Sequence, residues 1–473
     1  MRYSITFFVV VVFTSQLAAA EPFEDATQRV GLKGLSGGVA AWGDFDRDGW
    51  VDLYVGGQLW RNEGGKRFVR FENSPPSGAG IWADFDNDGF LDLFSWEGGG
   101  RLYRNLKGKK FEHLAKAIPP LPQKVSLGAA WGDFDGDGLV DLYIGGYETW
   151  TVASYVDVIY RNQGDGTFKE TWRSKGGPQP ARGITAADYD EDGDLDVYVS
   201  NYRLVPNLLW KNDGKGKFTN VAAETGTAGD GGLGAWGHTI GSAWGDLDND
   251  GHLDLFVGNF SHPPAYQDRP KFLKNLGPEG KFRFADKTAT AGLRWQESYA
   301  SPTLGDFDND GRLDLFFTTV YPGNKSVLYR NAGGWKFTDA TAAAKIDTAK
   351  TYQAAWADFD GDGYLDLVSG GRLFRNPGGK NHWLKVRLVG KGKVNSAAIG
   401  AQVRIKLADG ILTRQVSSAT GQGNQNALVL HFGLGEHAGS VTLQIRWPDG
   451  SKQEAKTEIG RATTVVFDQS SEK

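Results

Sequence analysis

The sequence predicts an all-β protein: a seven-bladed β-propeller of four-stranded blades, followed by a small C-terminal β-sandwich or barrel. Three observations predict it. A nine-residue acidic loop recurs seven times, at spacings of 40 to 60 residues. An aromatic or apolar residue followed by Arg or Lys and then Asn recurs once after each loop. Gly supplies 66 of 473 residues, scattered in short turn signals without a three-residue period, which favours a turn-rich β protein over collagen.

At this length one core is too small, so a large repeat fold or two domains are expected. Hydrophobic residues at 40% and charged residues at 23% are the balance of a folded chain, not a disordered one. A net charge of −5 argues against a general nucleic-acid binder. The absence of Cys excludes disulfides, thiolate metal sites, iron–sulfur clusters and a catalytic thiol. At the N-terminus, Arg2 is the only charge before the apolar run Ile5 to Phe13, and Ala18-Ala19-Ala20 follows. This pattern predicts a secretory signal over 1–20, cut after Ala20. The run is shorter than the ~20 residues that span a bilayer. The chain is therefore expected to be secreted, extracellular or periplasmic, with no integral span after cleavage. The propeller is assigned to 21–380, the C-terminal domain to 381–470 and a tail to 471–473.

The loop reads D-x-D-x-D-G-x-x-D. Its four aspartates are Asp44, Asp46, Asp48 and Asp52 in the first copy and Asp84, Asp86, Asp88 and Asp92 in the second. They are Asp133, Asp135, Asp137 and Asp141 in the third, and Asp188, Asp190, Asp192 and Asp196 in the fourth. The last three copies carry Asp246, Asp248, Asp250 and Asp254; Asp306, Asp308, Asp310 and Asp314; and Asp358, Asp360, Asp362 and Asp366. Four carboxylates in nine residues repel one another unless a cation intervenes, and Ca²⁺ takes six to eight oxygen ligands. Gly at position 6 supplies a positive φ. Position 7 is Trp50, Phe90, Leu139, Asp194, His252, Arg312 or Tyr364, an indifference to side chain that suits a backbone-carbonyl ligand. Up to seven structural Ca²⁺ are expected. An EF-hand would need Glu at position 12 and flanking helices. Position 12 is instead Val55, Ser95, Ile144, Val199, Val257, Phe317 or Ser369, inside a short apolar strand.

Each unit then reads as four strands: one before the loop, one after it, the Arg/Lys-Asn strand and a Phe-led strand. Units of this length with four strands have the period of a propeller blade. The seventh unit stops at Asn376 without a Phe strand, whereas Pro22-Phe23-Glu24-Asp25 opens the mature chain. The N-terminal segment is therefore expected to close the last blade.

Residues 22 to 376 resemble the FG-GAP/VCBS repeats of integrin α-subunit heads and bacterial exported proteins. Ile399-Gly400-Ala401, Ser418 to Gln422, His431 to Gly435 and Arg446 to Gly450 resemble the ASPIC/UnbV module. The combination is similar to the cartilage-acidic-protein-like family, which implies secretion, calcium binding and extracellular roles, and implies no established reaction.

The C-terminal region alternates over Trp383 to Val389, Gly400 to Leu407, Leu412 to Ser417, Ala427 to Phe432, Val441 to Trp447 and Thr463 to Phe467. Asp409-Gly410 and Asp449-Gly450 read as hairpin turns. Thr420 to Asn426 is a polar, Gly-rich stretch read as a structural loop, and His431 as a strand residue.

Since the acidic loops join first and second strands, all lie on one face, and the longer connections emerge on the other. There a ligand face is expected from Trp150, Tyr155, Tyr202, Arg203, Trp236, His238, Phe260, His262, Tyr266, Arg269 and Tyr321. Aromatic loops on a rigid scaffold are where recognition is usually placed. The four repeated loop positions hold 28 of the 57 acidic residues, and seven bound Ca²⁺ would carry the net charge from −5 to about +9, favouring acidic partners. The expected function is a non-enzymatic, calcium-stabilised recognition or adhesion module for a protein or glycan. The alternative is an exported polysaccharide lyase or glycosidase, with acids drawn from Asp157, Asp230, Asp268 and Glu297 and a base from His238 or His262. An assembly component that docks through its C-terminal domain is a third possibility.

Overall fold

The computed structural model describes residues 22–76, 78–122, 125–147, 156–175, 179–229, 236–261 and 269–468. In the first repeat, Ala40–Gly43, Asp52–Val55, Gln58–Glu63 and Arg67–Arg70 pair in chain order as an antiparallel sheet. Five more sheets of the same order span 81–113, 129–173, 181–220, 238–286 and 299–339. The seventh consists of Ala355–Ala357, Asp366–Ser369 and Arg372–Arg375, with Glu24–Asp25 as its outermost strand. Glu24 pairs with Arg375 and Asp25 with Phe374, so the N-terminal segment does close the ring.

First strands are mostly apolar and largely buried because each lies between neighbours on both faces. They touch in succession from blade one to blade seven and back to blade one. Indole N–H groups of Trp42, Trp82 and Trp131 donate to the carbonyls of Ala355, Ala41 and Ile81 on the preceding blade, at 3.3, 3.3 and 3.4 Å. The Gly ahead of the acidic loop makes room for the next Trp: a Cβ on Gly43 would lie 2.8 Å from Trp82.

The repeated Asn that ends the third strand is the joint between blades. Asn62 Nδ2 donates to Val51 O of its own loop at 3.1 Å and to Phe359 O of the previous blade at 2.8 Å. Asn105, Asn162, Asn212, Asn275, Asn331 and Asn376 reach the carbonyls of Phe45, Phe85, Phe134, Tyr189, Leu247 and Phe307 in the same way. All seven junctions therefore carry the same buried hydrogen bond.

The C-terminal domain is a sandwich. One sheet orders Leu430–Gly435, His382–Val389 and Arg461–Val466, the last pair parallel. The other orders Gly410–Gln415, Gln402–Leu407, Ser440–Arg446 and Lys452–Glu458. The sequence pattern missed Lys452–Glu458, an edge strand with mostly exposed, polar side chains. Both Asp-Gly turns join hairpins as expected.

This domain sits on the acidic-loop face, and its segment 415–427 fills the propeller axis, bonding to all seven blades. Gln425 N donates to Ala40 O at 2.9 Å, and its side-chain amide brackets the Trp82 backbone at 2.7 and 2.9 Å. Ser418 Oγ pairs with the Trp131 backbone, and Gln415 Nε2 donates to Ala186 O at 3.1 Å. Gly421 N donates to Ser242 O at 2.8 Å and Gln422 N to Ser301 Oγ at 2.9 Å. Trp356 N donates to Asn426 Oδ1 at 2.9 Å. The polar, Gly-rich composition follows from this position. The first-strand backbones that line the axis need partners, and only Gly fits at the tightest point: a Cβ on Gly241 would lie 2.4 Å from the carbonyl carbon of Gly421.

Candidate functional site

Each acidic loop is held by its own carboxylates. In the first, Asp44 Oδ1 accepts from Asp48 N at 3.1 Å and Asp44 Oδ2 from Gly49 N at 3.3 Å. Asp48 Oδ1 accepts from Trp50 N at 2.9 Å. Asp52 accepts from Phe45 N at 3.1 Å and from Asn62 N at 2.8 Å, which ties the loop to the third strand. The position-6 glycines have φ between 87° and 101°, as expected. Position 4 is also left-handed in every copy: Arg47, Asn87, Gly136, Glu191, Asn249, Asn309 and Gly361. Asn or Gly at five of these seven was the available signal.

The aspartate at position 3 is different. Oδ1 of Asp46, Asp86, Asp135, Asp190, Asp248 and Asp308 is buried without a hydrogen-bond partner. In most copies the other oxygen meets the cation of the Arg/Lys-Asn signature. Arg104 lies 2.8 Å from Asp86 and Arg161 2.5 Å from Asp135. Lys211, Lys274, Arg330 and Arg375 pair with Asp190, Asp248, Asp308 and Asp360. In blade one Arg61 turns to Glu63 instead.

Burial pushes Asp52 and its counterparts Asp92, Asp141, Asp196, Asp254, Asp314 and Asp366 well above the usual carboxylate range. Burial likewise pushes Asp84 and Asp133 up to about 6 and Asp188 and Asp246 up to about 7. Carboxylates so placed disfavour their own charge and gain from a compensating cation. Within a loop, carboxylate oxygens of three aspartates lie within 4.8 Å of one another, as in Asp84, Asp86 and Asp92. An all-oxygen donor set with an unpaired, buried oxygen fits a hard divalent cation. Two side chains at position 7 make contacts of their own: His252 Nδ1 lies 2.6 Å from Glu191, and Arg312 Nε donates to Asn331 O at 3.0 Å while its guanidinium pairs with Asp310 of the same loop.

The C-terminal domain covers this face with cations and hydroxyls. Lys385 lies 2.5 Å from Asp358, Arg387 3.3 Å from Asp44 and Arg446 2.6 Å from Asp188. Ser396 Oγ donates to Asp84. Buried Arg414 bears on Asp306 and Asp246. No sequence signal placed these five residues against the loops.

On the opposite rim several of the expected aromatics converge. The Tyr202 ring lies 4.5 Å from His238 and 6.2 Å from Phe260, and Phe260 lies 5.1 Å from Tyr321. Phe260, at 2% exposure, supports the cluster from beneath instead of facing solvent. Trp236 packs against the core between blades four and five. Arg203 N donates to His238 Nδ1 at 3.2 Å. Arg269 is exposed, and its carbonyl accepts from Asn259 Nδ2 at 2.9 Å. Trp150, Tyr155, His262 and Tyr266, with Asp230 and Asp268, lie outside the described residues. Asp157 is buried, and its oxygens accept from Tyr143 Oη at 2.7 Å and Gly146 N at 3.0 Å; it braces blade three and does not face the rim.

The FG-GAP-like repeat family matches residues 44–95, 84–144, 149–199, 246–317 and 306–369. The ASPIC and UnbV family matches 390–473. Cartilage acidic protein 1 of Xenopus tropicalis is 28% identical over 306 residues, covering 60% of this chain and 45% of that protein. The Mus musculus protein of the same name is 27% identical over 312 residues, covering 62% and 46%. This chain thus spans less than half the length of the curated relatives it matches, and their name carries no reaction. Among solved structures, BBS1N in complex with ARL6DN aligns at a TM-score of 0.43 and 10% identity, covering 76% of this chain and 94% of that one. Rhamnogalacturonan lyase YesX aligns at 0.31 and 13%, covering 91% and 72%. Scores this low carry no functional weight. Among the described residues no helix is long and apolar enough to cross a membrane.

Proposed function

The chain belongs to the FG-GAP-like repeat family, and on that premise we propose that it is an exported, calcium-loaded recognition module that captures a protein or glycan without altering it. The unpaired, buried oxygen of Asp46 and its five counterparts supports the calcium part of this reading. In each loop the carboxylates at positions 1, 3, 5 and 9 and the carbonyl at position 7, from Trp50 in the first loop to Tyr364 in the last, would hold Ca²⁺. Bound there, the ion supplies charge compensation and stiffness, and the first and second strands of each blade are pinned together. The ions are structural, because the C-terminal domain lies over the loops. The rim that carries Tyr202, Arg203, His238 and Tyr321 is the face left for a partner.

The test is a protein and glycan array probed in calcium buffer, with each retained ligand recovered and analysed. Intact ligand is the expected result. New reducing ends or unsaturated products would overturn it in favour of a carbohydrate-active enzyme.

A further inference from the structure

Arg182, at the rim end of the first strand of blade four (Ala181–Ala187), stands over the axis of the ring. Its guanidinium carbon lies 5.6 Å from the centre of the Tyr147 ring, 5.1 Å from that of Tyr202 and 5.1 Å from that of Tyr352. These rings come from blades three, four and seven, so the arginine is reached from opposite sides of the propeller. Tyr321 of blade six and Phe260 of blade five extend the cluster, 5.1 Å from each other. Asn424 of the axial segment donates to Tyr352 O at 2.7 Å, which ties the blade-seven ring to the axis. Arg182 and the four tyrosines are half-buried. Arg182 Nε is buried and has no acceptor. No ion pair or side-chain hydrogen bond engages this guanidinium among the described residues, in contrast to Arg104, Arg161 and Arg330 on the acidic-loop side.

A guanidinium held by aromatic rings keeps its N–H edge for a ligand, and that edge matches a carboxylate as a two-toothed fork. Phenol rings offer both apolar faces and hydroxyls, which suits a polyhydroxylated ring better than an aliphatic side chain. We infer that Arg182 in its tyrosine cage is the seat for a carboxylate-bearing sugar of an acidic glycan. This deepens the recognition reading and rests on it. The shift toward positive charge on calcium loading would draw such a polyanion to the protein.

The test uses the full chain in calcium buffer, with tri-galacturonic acid, its fully methyl-esterified form and hexa-aspartate as probes, by isothermal titration. The acid is expected to bind, and the ester to bind at least about tenfold more weakly, as loss of a charge-assisted hydrogen-bond pair predicts. Arg182→Ala is expected to lose about tenfold or more, and Arg182→Lys to recover only part, with melting curves matching the unaltered protein. The ester comparison stands on the unaltered protein even if the variants fail to fold. No binding of the acid, equal binding of acid and ester, or full affinity in a folded Arg182→Ala protein would overturn the assignment. Equal binding of hexa-aspartate would overturn the glycan in favour of an acidic peptide. If the acid fails while the array retains other intact ligands, only the seat falls; if the array yields cleaved products, the recognition reading falls with it.

Discussion

The two faces of the ring are built from the same strands and put to opposite use. On one, seven near-identical loops crowd 28 aspartates at their four repeated positions beneath a domain that supplies Lys385, Arg387, Arg414 and Arg446. On the other, the connections differ from blade to blade, and Arg182 has rings for neighbours where the first face has carboxylates. Uniformity on the first face secures the scaffold, and the second is where the blades differ.

Removal of the ions should break this division most strongly. A chelator is expected to lower the melting temperature by tens of degrees, since each ion bound only to the folded state adds about 2.7 kcal/mol at a hundredfold excess over Kd. Calorimetry in calcium and in chelator checks this, and superimposable melts would remove the ions from the account. Next in size is the axis. Gly241→Val drives a side chain into the Gly421 backbone and should cost about 3 kcal/mol. Gly38→Ala near the open rim has only ordinary contacts and should stay within about 0.5 kcal/mol. Urea midpoints that fell equally would erase the contrast.

A smaller effect comes from His431, buried on the covered side with Nε2 3.0 Å from Gly363 O. Burial holds its pKa down at about 4, with Arg414 and Lys385 adding to it. The unfolded chain therefore binds more protons between about pH 6.5 and about pH 4, and stability falls as pH drops through that window. The loss should reach about 2 kcal/mol by about pH 5. His431→Gln should flatten that part of the profile in acid unfolding; an unchanged slope would reject the assignment. The least is Lys385→Met. Its loss should cost about 1 kcal/mol in chelator, where Asp358 stays uncompensated, and close to nothing in calcium. Equal losses in both buffers would show that the covering domain does not feel the ions.

The acidic loops, the blade period and the closing N-terminal strand were legible because repetition writes local geometry into the chain: Gly49 and its counterparts need φ near 90° wherever the loop occurs. The Arg/Lys-Asn signature was visible as a pattern, but its purpose was not, since Asn62 acts on Phe359, 297 residues away. The axial segment was read only as a structural loop for the same reason. Asn424 serves Ala40 across 384 residues, and nothing near it in sequence marks its partner. Arg182 escaped notice because it begins a strand, whereas attention went to the longer loops. Lys452–Glu458 lacked the apolar alternation that would have marked it.

Closure by Glu24–Asp25 and filling by 415–427 also set an order of biosynthesis. The strand Glu24–Asp25 must wait about 350 residues for Arg372–Arg375, and the segment that engages every blade emerges later still. Such distant pairing is slow. A chain truncated before residue 415 would be left with unsatisfied backbone amides lining a hole, so quality control has a plain structural criterion for an unfinished molecule.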